Sequence, residues 1–147
     1  MYLAIVMDLY CRKVISWEMS KRMTVDLVER AMQMAITLRW PADGVIFHSD
    51  RDSQYTSKRF DRLLKKRCIQ ASMSDVGPCW DNAVVERFFG SLKNEWLLKV
   101  YHLTRQTMKQ NVEQYIRYYN HERLHSANDD LSPVKFEMSQ IKVSGLT

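Results

Sequence analysis

Val45-Ile46-Phe47-His48-Ser49-Asp50-Arg51-Asp52-Ser53 is the stretch whose reading decides the fold. Val45–His48 is a short apolar run that predicts a strand, and it opens directly into the polar cluster His48–Ser53. In α/β sheets, ligands bind in the crevice at the carboxyl ends of the strands. Asp50 falls just past such an end. His48, two residues earlier, shares its face on an extended chain, so it is read either as a site residue or as a hydrogen-bonded structural histidine.

Working outward, Tyr2–Met7 and Val14–Met19 are apolar runs separated only by Asp8–Lys13, and they predict an antiparallel hairpin. Thr24–Arg39 predicts a helix with Thr24 as N-cap and Val28, Ala31, Met32, Ala35 and Ile36 on one face; Pro41 and Gly44 end it. A basic helix is expected over Ser57–Arg67, a third short strand over Ile69–Met73, and a loop over Ser74–Trp80. Asp81 is expected to cap a helix over Asn82–Trp96. Thr104–Tyr119 predicts another helix with Met108, Val112, Tyr115 and Tyr119 on one stripe, Ser126–Asp130 a loop, and Pro133 the start of a last helix. Short strands alternating with helices, followed by helices alone, indicate an α/β domain with a helical C-terminal extension.

The second carboxylate of interest lies inside a helix. At about 100° per residue, Val85, Phe89, Leu92 and Trp96 fall together on one side of Glu86 as an apolar stripe with Phe88 at its margin. Asn82, Lys93 and Gly90 fall close to Glu86 on the polar side. A carboxylate there can reach a metal, Asn82 and Lys93 can reach a phosphate, and Gly90 lets a backbone approach closely.

Composition narrows the classes. The chain has 147 residues, a formal net charge of +5, and 46% hydrophobic residues, which suits one folded domain. Its four glycines, at 44, 77, 90 and 145, lie too far apart for a glycine-rich phosphate loop. Cys11, Cys68 and Cys79 form no CxxC pair and point to reduced thiols and a cytoplasmic location. No apolar stretch is long enough for a membrane span or a signal peptide. The basic excess permits an anionic partner such as DNA.

Between Asp50 and Glu86 there are 86 − 50 − 1 = 35 residues. With this spacing, Val45–Tyr55 and Asp81–Lys93 resemble the second-aspartate segment and the glutamate helix of the integrase core of insertion-sequence transposases, relatives of the retroviral integrases. Tyr119-Asn120-His121-Glu122-Arg123-Leu124-His125 followed by Leu131-Ser132-Pro133 resembles the C-terminal signature of that family, and Tyr2–Trp17 resembles its opening hairpin. The resemblance implies an RNase H-like α/β fold, a mixed sheet flanked by helices. Residues 1–100 would be a partial catalytic core and 101–147 its helical extension.

The resemblance also implies chemistry. Asp50 and Glu86 would be catalytic carboxylates holding Mg²⁺ or Mn²⁺ in a two-metal phosphoryl transfer, for which hard cations prefer oxygen ligands. Asn82, Arg87 and Lys93 would contact DNA, both transposon ends and target. The implied partners are further copies of the chain and a companion insertion-sequence protein supplying end recognition, with no membrane and a nucleoid-associated cytoplasmic location. The family's first aspartate lies on a central first strand, and this sequence matches the family from the second strand onward. The expectation is therefore two strands left with unpaired backbone groups and a chain inactive alone; the alternative is a non-catalytic DNA-binding or dimerising remnant. Asp8 matches a non-catalytic turn carboxylate, and Asp52 stands where the family usually has glycine.

Two rival patterns remain. His121-Glu122-Arg123-Leu124-His125 fits HExxH, a zinc pattern that needs both histidines on one helix face and a third ligand such as Glu137. The plainer expectation is a set of surface or DNA-facing polar residues. Lys58, Arg59, Arg62, Lys65, Lys66 and Arg67 form either a solvated helix face or a phosphate-contacting one.

Overall fold

The computed structural model describes residues 1–49, 53–73, 80–99 and 104–145. They divide into two compact units, one of residues 1–6 and 15–86 and one of residues 7–14 and 87–147. The first unit carries β1 (Tyr2–Met7) and β2 (Val14–Ser20), which pair with each other. Their connection is too short for a parallel crossover, so the pair is an antiparallel hairpin. It also carries β3 (Ile46–Ser49) and β4 (Gln70–Met73), which run parallel with Phe47 opposite Ala71 and His48 opposite Ser72. Among the described residues the strands form two separate two-stranded sheets.

One helical layer serves both sheets. Helix α1 (Val25–Arg39) buries Leu27, Val28, Ala31, Met32, Ala35 and Ile36, the face predicted from periodicity. Thr24 occupies the N-cap position, yet its hydroxyl makes no capping bond. The helix closes at Trp40, whose left-handed backbone (φ 45°) lets its N–H reach the Ile36 carbonyl at 2.8 Å before Pro41 forbids continuation. A single turn, α2 (Ser53–Thr56), precedes α3 (Lys58–Lys66), which Ser57 caps by accepting from the Phe60 N–H at 3.2 Å. Ala4 of β1, the apolar face of α1, Phe60 and Leu64 of α3, and Ile69 form one core, with Phe47 of β3 packed against it. The Ser16 hydroxyl, buried on β2, donates to the Ala31 carbonyl at 2.6 Å.

Helix α4 (Trp80–Leu92) begins earlier than predicted, so Asp81 lies inside it and is not its N-cap. It also ends earlier. Lys93–Leu97 form a π-turn in which the Leu98 N–H reaches the Lys93 carbonyl at 3.0 Å. The first unit holds α4 up to Glu86; the second holds it from Arg87 and goes on with α5 (Arg105–His121), capped by Thr104 through the Thr107 N–H at 3.0 Å, and α6 (Pro133–Gly145), with a 3₁₀ turn at Ser126–Asn128. Val112, Tyr115 and Tyr119 of the predicted stripe are buried, and Met108 is half-buried.

Within the second unit the segment 7–14 is held by side chains. Asn120 clamps Val14 from both sides: its Oδ1 accepts from the Val14 N–H and its Nδ2 donates to the Val14 carbonyl, each at 2.9 Å. Fully buried Asn128 donates to the Cys11 carbonyl at 2.7 Å. Tyr10 donates to Gln140 at 2.9 Å, and its ring packs on Phe136. Asp8 is a turn carboxylate, accepting from the Tyr10 N–H at 2.9 Å. Among the described residues no helix is long and apolar enough to cross a membrane.

Candidate functional site

Helix α4 carries Asn82, Glu86 and Arg87, and Lys93 follows immediately at its end. Its apolar side packs through Phe88 and Leu92, both buried, while Val85, Phe89 and Trp96 are half-buried. The buried centre therefore lies on Phe88, which the helical-wheel reading put at the margin. Phe88 meets Tyr119 edge-on at 4.9 Å and Phe89 at 5.4 Å between ring centroids, and this aromatic contact fixes which side of the helix is inward. Glu86, Arg87 and Lys93 are consequently all exposed. A Cβ placed on Gly90 would meet nothing within 4 Å, so the surface beside it is open.

Glu86 makes no hydrogen bond or ion pair among the described residues, which leaves two hard oxygen donors facing solvent. That is the donor chemistry a divalent cation requires, and in this respect Glu86 fits one. Asp50 and Asp52 lie outside the described residues, as does the side chain of Asn82. The strand leading to Asp50 is in place: β3 ends at buried Ser49, and His48 Nδ1 lies 3.2 Å from Ser72 Oγ on the partner strand. No group of three or more metal-ligating side chains occurs among the described residues.

The zinc pattern does not assemble. Helix α5 stops at His121, which is exposed, while His125 lies beyond the helix against the Tyr119 ring at 4.7 Å. Glu137 lies against the Cys11 thiol at 3.5 Å. His121, Glu122 and Leu124 are exposed, as the plainer expectation has it, whereas Arg123 and His125 are half-buried. Burial and the arginines Arg123 and Arg12 push the His125 imidazole down to about 4, so it is neutral at pH 7, and its Nε2 is buried with no hydrogen-bond partner. Arg123 donates from Nε to both Glu95 oxygens at 3.0 and 3.1 Å and from Nη2 to Oε1 at 2.8 Å, and it stands 5.8 Å from the Tyr119 ring centroid.

Glu95 is the residue that the sequence reading missed. It is held by Arg123 and by the Tyr115 hydroxyl, which donates at 2.7 Å, and Arg123 keeps its carboxyl below the usual range. Fully buried Tyr115 has its phenol raised, first by burial and then by this carboxylate. The available signal was a lone acid next to Trp96 in an otherwise amphipathic segment, too weak without its partner across the chain. In the basic helix, Arg59 ion-pairs with Asp26 and Glu29, and Lys65 with Asp61 at 2.9 Å. Arg59 therefore ties α3 to α1, whereas Lys58, Arg62, Lys66 and Arg67 are simply exposed.

An integrase core domain model matches residues 1–79, and a second integrase core model matches residues 67–133. The chain belongs to the integrase core domain family. This integrase core chain is 45% identical to the transposase InsF for insertion sequence IS3A of Escherichia coli over 138 residues, which cover 93% of it and 48% of that relative. It is 40% identical to the transposase for insertion sequence element IS904 of Lactococcus lactis, covering 93% of this chain and 54% of that one. The chain thus spans about half the length of these relatives. In fold it resembles the HTLV-2 integrase catalytic core domain solved with magnesium in a trimeric form (TM-score 0.70, 18% identity, 91% of this chain and 82% of that one). It also resembles the catalytic core domain of BIV integrase (TM-score 0.72, 15% identity, 97% and 88%). The RNase H-like α/β reading is therefore correct.

Proposed function

We propose that this chain serves DNA transposition as part of a metal-dependent polynucleotidyl transferase core, with Asp50 and Glu86 as its acidic ligands. The observation that carries the proposal is the placement of Glu86: an exposed, unpaired carboxylate on a helix whose opposite side is locked by buried aromatics. Membership of the integrase core family supplies the reaction class.

When bound, divalent ions of the Mg²⁺ type activate a water or 3′-hydroxyl and stabilise the leaving oxygen. The residues of this chain would do the rest. Asp50, which follows β3 in the sequence, and Glu86 would offer oxygen ligands. Lys93 and Arg87 would hold DNA phosphates by charge, and Asn82 would add an amide donor. The relatives named as transposases, and the integrase cores solved as trimeric and dimeric forms, support DNA and further copies of the chain as partners.

Calorimetric titration with Mn²⁺ tests the assignment. The chain is expected to bind the ion, and Asp50→Asn and Glu86→Gln each to weaken binding at least about tenfold, since each removes one charged oxygen ligand. Unchanged affinity in both variants overturns it. A second reading, a DNA-binding module without chemistry, draws on the division of the strands into two separate sheets. It predicts duplex binding with no dependence on Asp50, Glu86 or the divalent ion.

A further inference from the structure

We propose that Glu95, Arg123 and Tyr115 form a positioning device for Lys93, holding the π-turn in one shape and so fixing where the Lys93 ammonium meets a DNA phosphate. The proposal rests on the reading of Lys93 as a DNA contact. Lys93 is the residue at which the regular helix gives way: its carbonyl accepts the wide-turn bond from the Leu98 N–H at 3.0 Å. A π-turn is a rare conformation and needs support from elsewhere in the fold.

The support is visible and comes from one side. Lys93 and Asn94 face solvent, while Glu95, Trp96 and Leu97 are half-buried. Glu95 accepts from the Tyr115 hydroxyl at 2.7 Å and receives Arg123 through both of its oxygens. Arg123 reaches back to Ser91 Oγ at 3.4 Å, and the Trp96 ring lies 5.9 Å from that of Tyr115. Charge-assisted, forked contacts of this kind fix geometry as well as supplying energy. With its charge committed to Glu95 and its guanidinium against Tyr119, Arg123 is not the free cation of this segment. Lys93 is exposed and stands two residues from the anchored carboxylate.

Charge alone and positioning predict opposite outcomes. Glu95→Gln removes a negative charge, so net electrostatics would tighten DNA binding. Loss of the device would loosen the turn and weaken it. The experiment is fluorescence anisotropy of the 147-residue chain with a random 30-base-pair duplex over a range of salt concentrations. Lys93→Ala is expected to lower the salt slope by about one. Glu95→Gln is expected to weaken binding several-fold, and to cause no further loss when combined with Lys93→Ala, because both then act through one contact.

Tyr115→Phe removes only the hydroxyl and keeps the ring packing, so it serves if Glu95→Gln does not fold. It is expected to give a smaller loss, with faster amide hydrogen exchange in Lys93–Leu98 and unchanged protection in Val112–Tyr119. Binding as tight as the parent or tighter in Glu95→Gln, or in Tyr115→Phe with a loosened turn, overturns the inference and leaves Lys93 as a contact. No effect of Lys93→Ala removes the Lys93 reading and the inference with it.

Discussion

The two units of this chain are held together by different chemistry. The first has a mainly aliphatic core in which α1 and α3 cover two small sheets: Leu27, Val28, Ala31, Met32, Ile36, Leu64 and Ile69, with Phe60 its one fully buried aromatic among the described residues and Phe47 and Tyr55 packed against it. The second has an aromatic core of Phe88, Tyr115 and Tyr119, tied by buried side-chain hydrogen bonds of Asn120 and Asn128 and by a half-buried pair in which Arg123 donates to Glu95. Aliphatic packing is non-directional and tolerates modest substitution. Buried polar networks are directional and fail when one partner is lost. The second unit should therefore be the more brittle of the two, and its brittleness lies next to the segment carrying Arg87 and Lys93.

The largest effect that sharpens this contrast is expected from Phe88→Ala. Removing a fully buried ring that meets Tyr115 and Tyr119 should cost about 3–5 kcal/mol in urea unfolding. Ile36→Val in the first unit should cost only about 1 kcal/mol. Equal losses would break the comparison.

Acid comes next. His125 titrates near 4 in the folded chain and near 6.5 when unfolded, so the unfolded state binds the extra proton first. Its neutral form is fully compatible with folding above pH 6.5. Stability should fall as pH drops from 6.5 to 4, by well under the ~3 kcal/mol that the shift alone would give, because solvent screens a half-buried ring. His125→Gln should flatten that window. Glu95, whose carboxyl titrates below its ordinary range, adds a separate loss only at more acid pH. An unchanged pH profile in His125→Gln counts against the burial described here.

Asn120→Ala should cost about 2 kcal/mol, because it strands both the N–H and the carbonyl of Val14 in a buried position. Faster amide exchange at Val14 is the matching readout. The smallest effect runs the other way. Gly90→Ala should stabilise the chain by about 0.5–1 kcal/mol, since the position is helical and the added methyl meets nothing. If a DNA backbone passes close to Gly90, the same variant should bind duplex DNA less well while melting higher.

The contrast also explains what was legible beforehand. Period and punctuation placed the hairpin, the buried face of α1 and the last helix after Pro133, all features written in neighbouring residues. The glutamate helix was legible as an amphipathic segment with Glu86 on its polar side. Its start at Trp80 and its break at Lys93 were not, because the break is supported by Arg123 and Tyr115, far away in sequence. The same holds for Asn120, which reads as a helix-ending residue and instead clamps Val14. The polar run His121–His125 could be read as zinc ligands or as surface; only the end of α5 at His121 and the ring contact of His125 show that the two histidines part and that Arg123 and His125 turn inward.

The most direct test of the central claim is where a paramagnetic ion settles on the chain. Substoichiometric Mn²⁺ added to the isotope-labelled protein should broaden the amide signals of α4 around Glu86 and those flanking Asp50 first, and Glu86→Gln should abolish the effect on α4. Broadening centred on His121, His125 and Glu137, or the same pattern in Glu86→Gln as in the parent, would contradict the account.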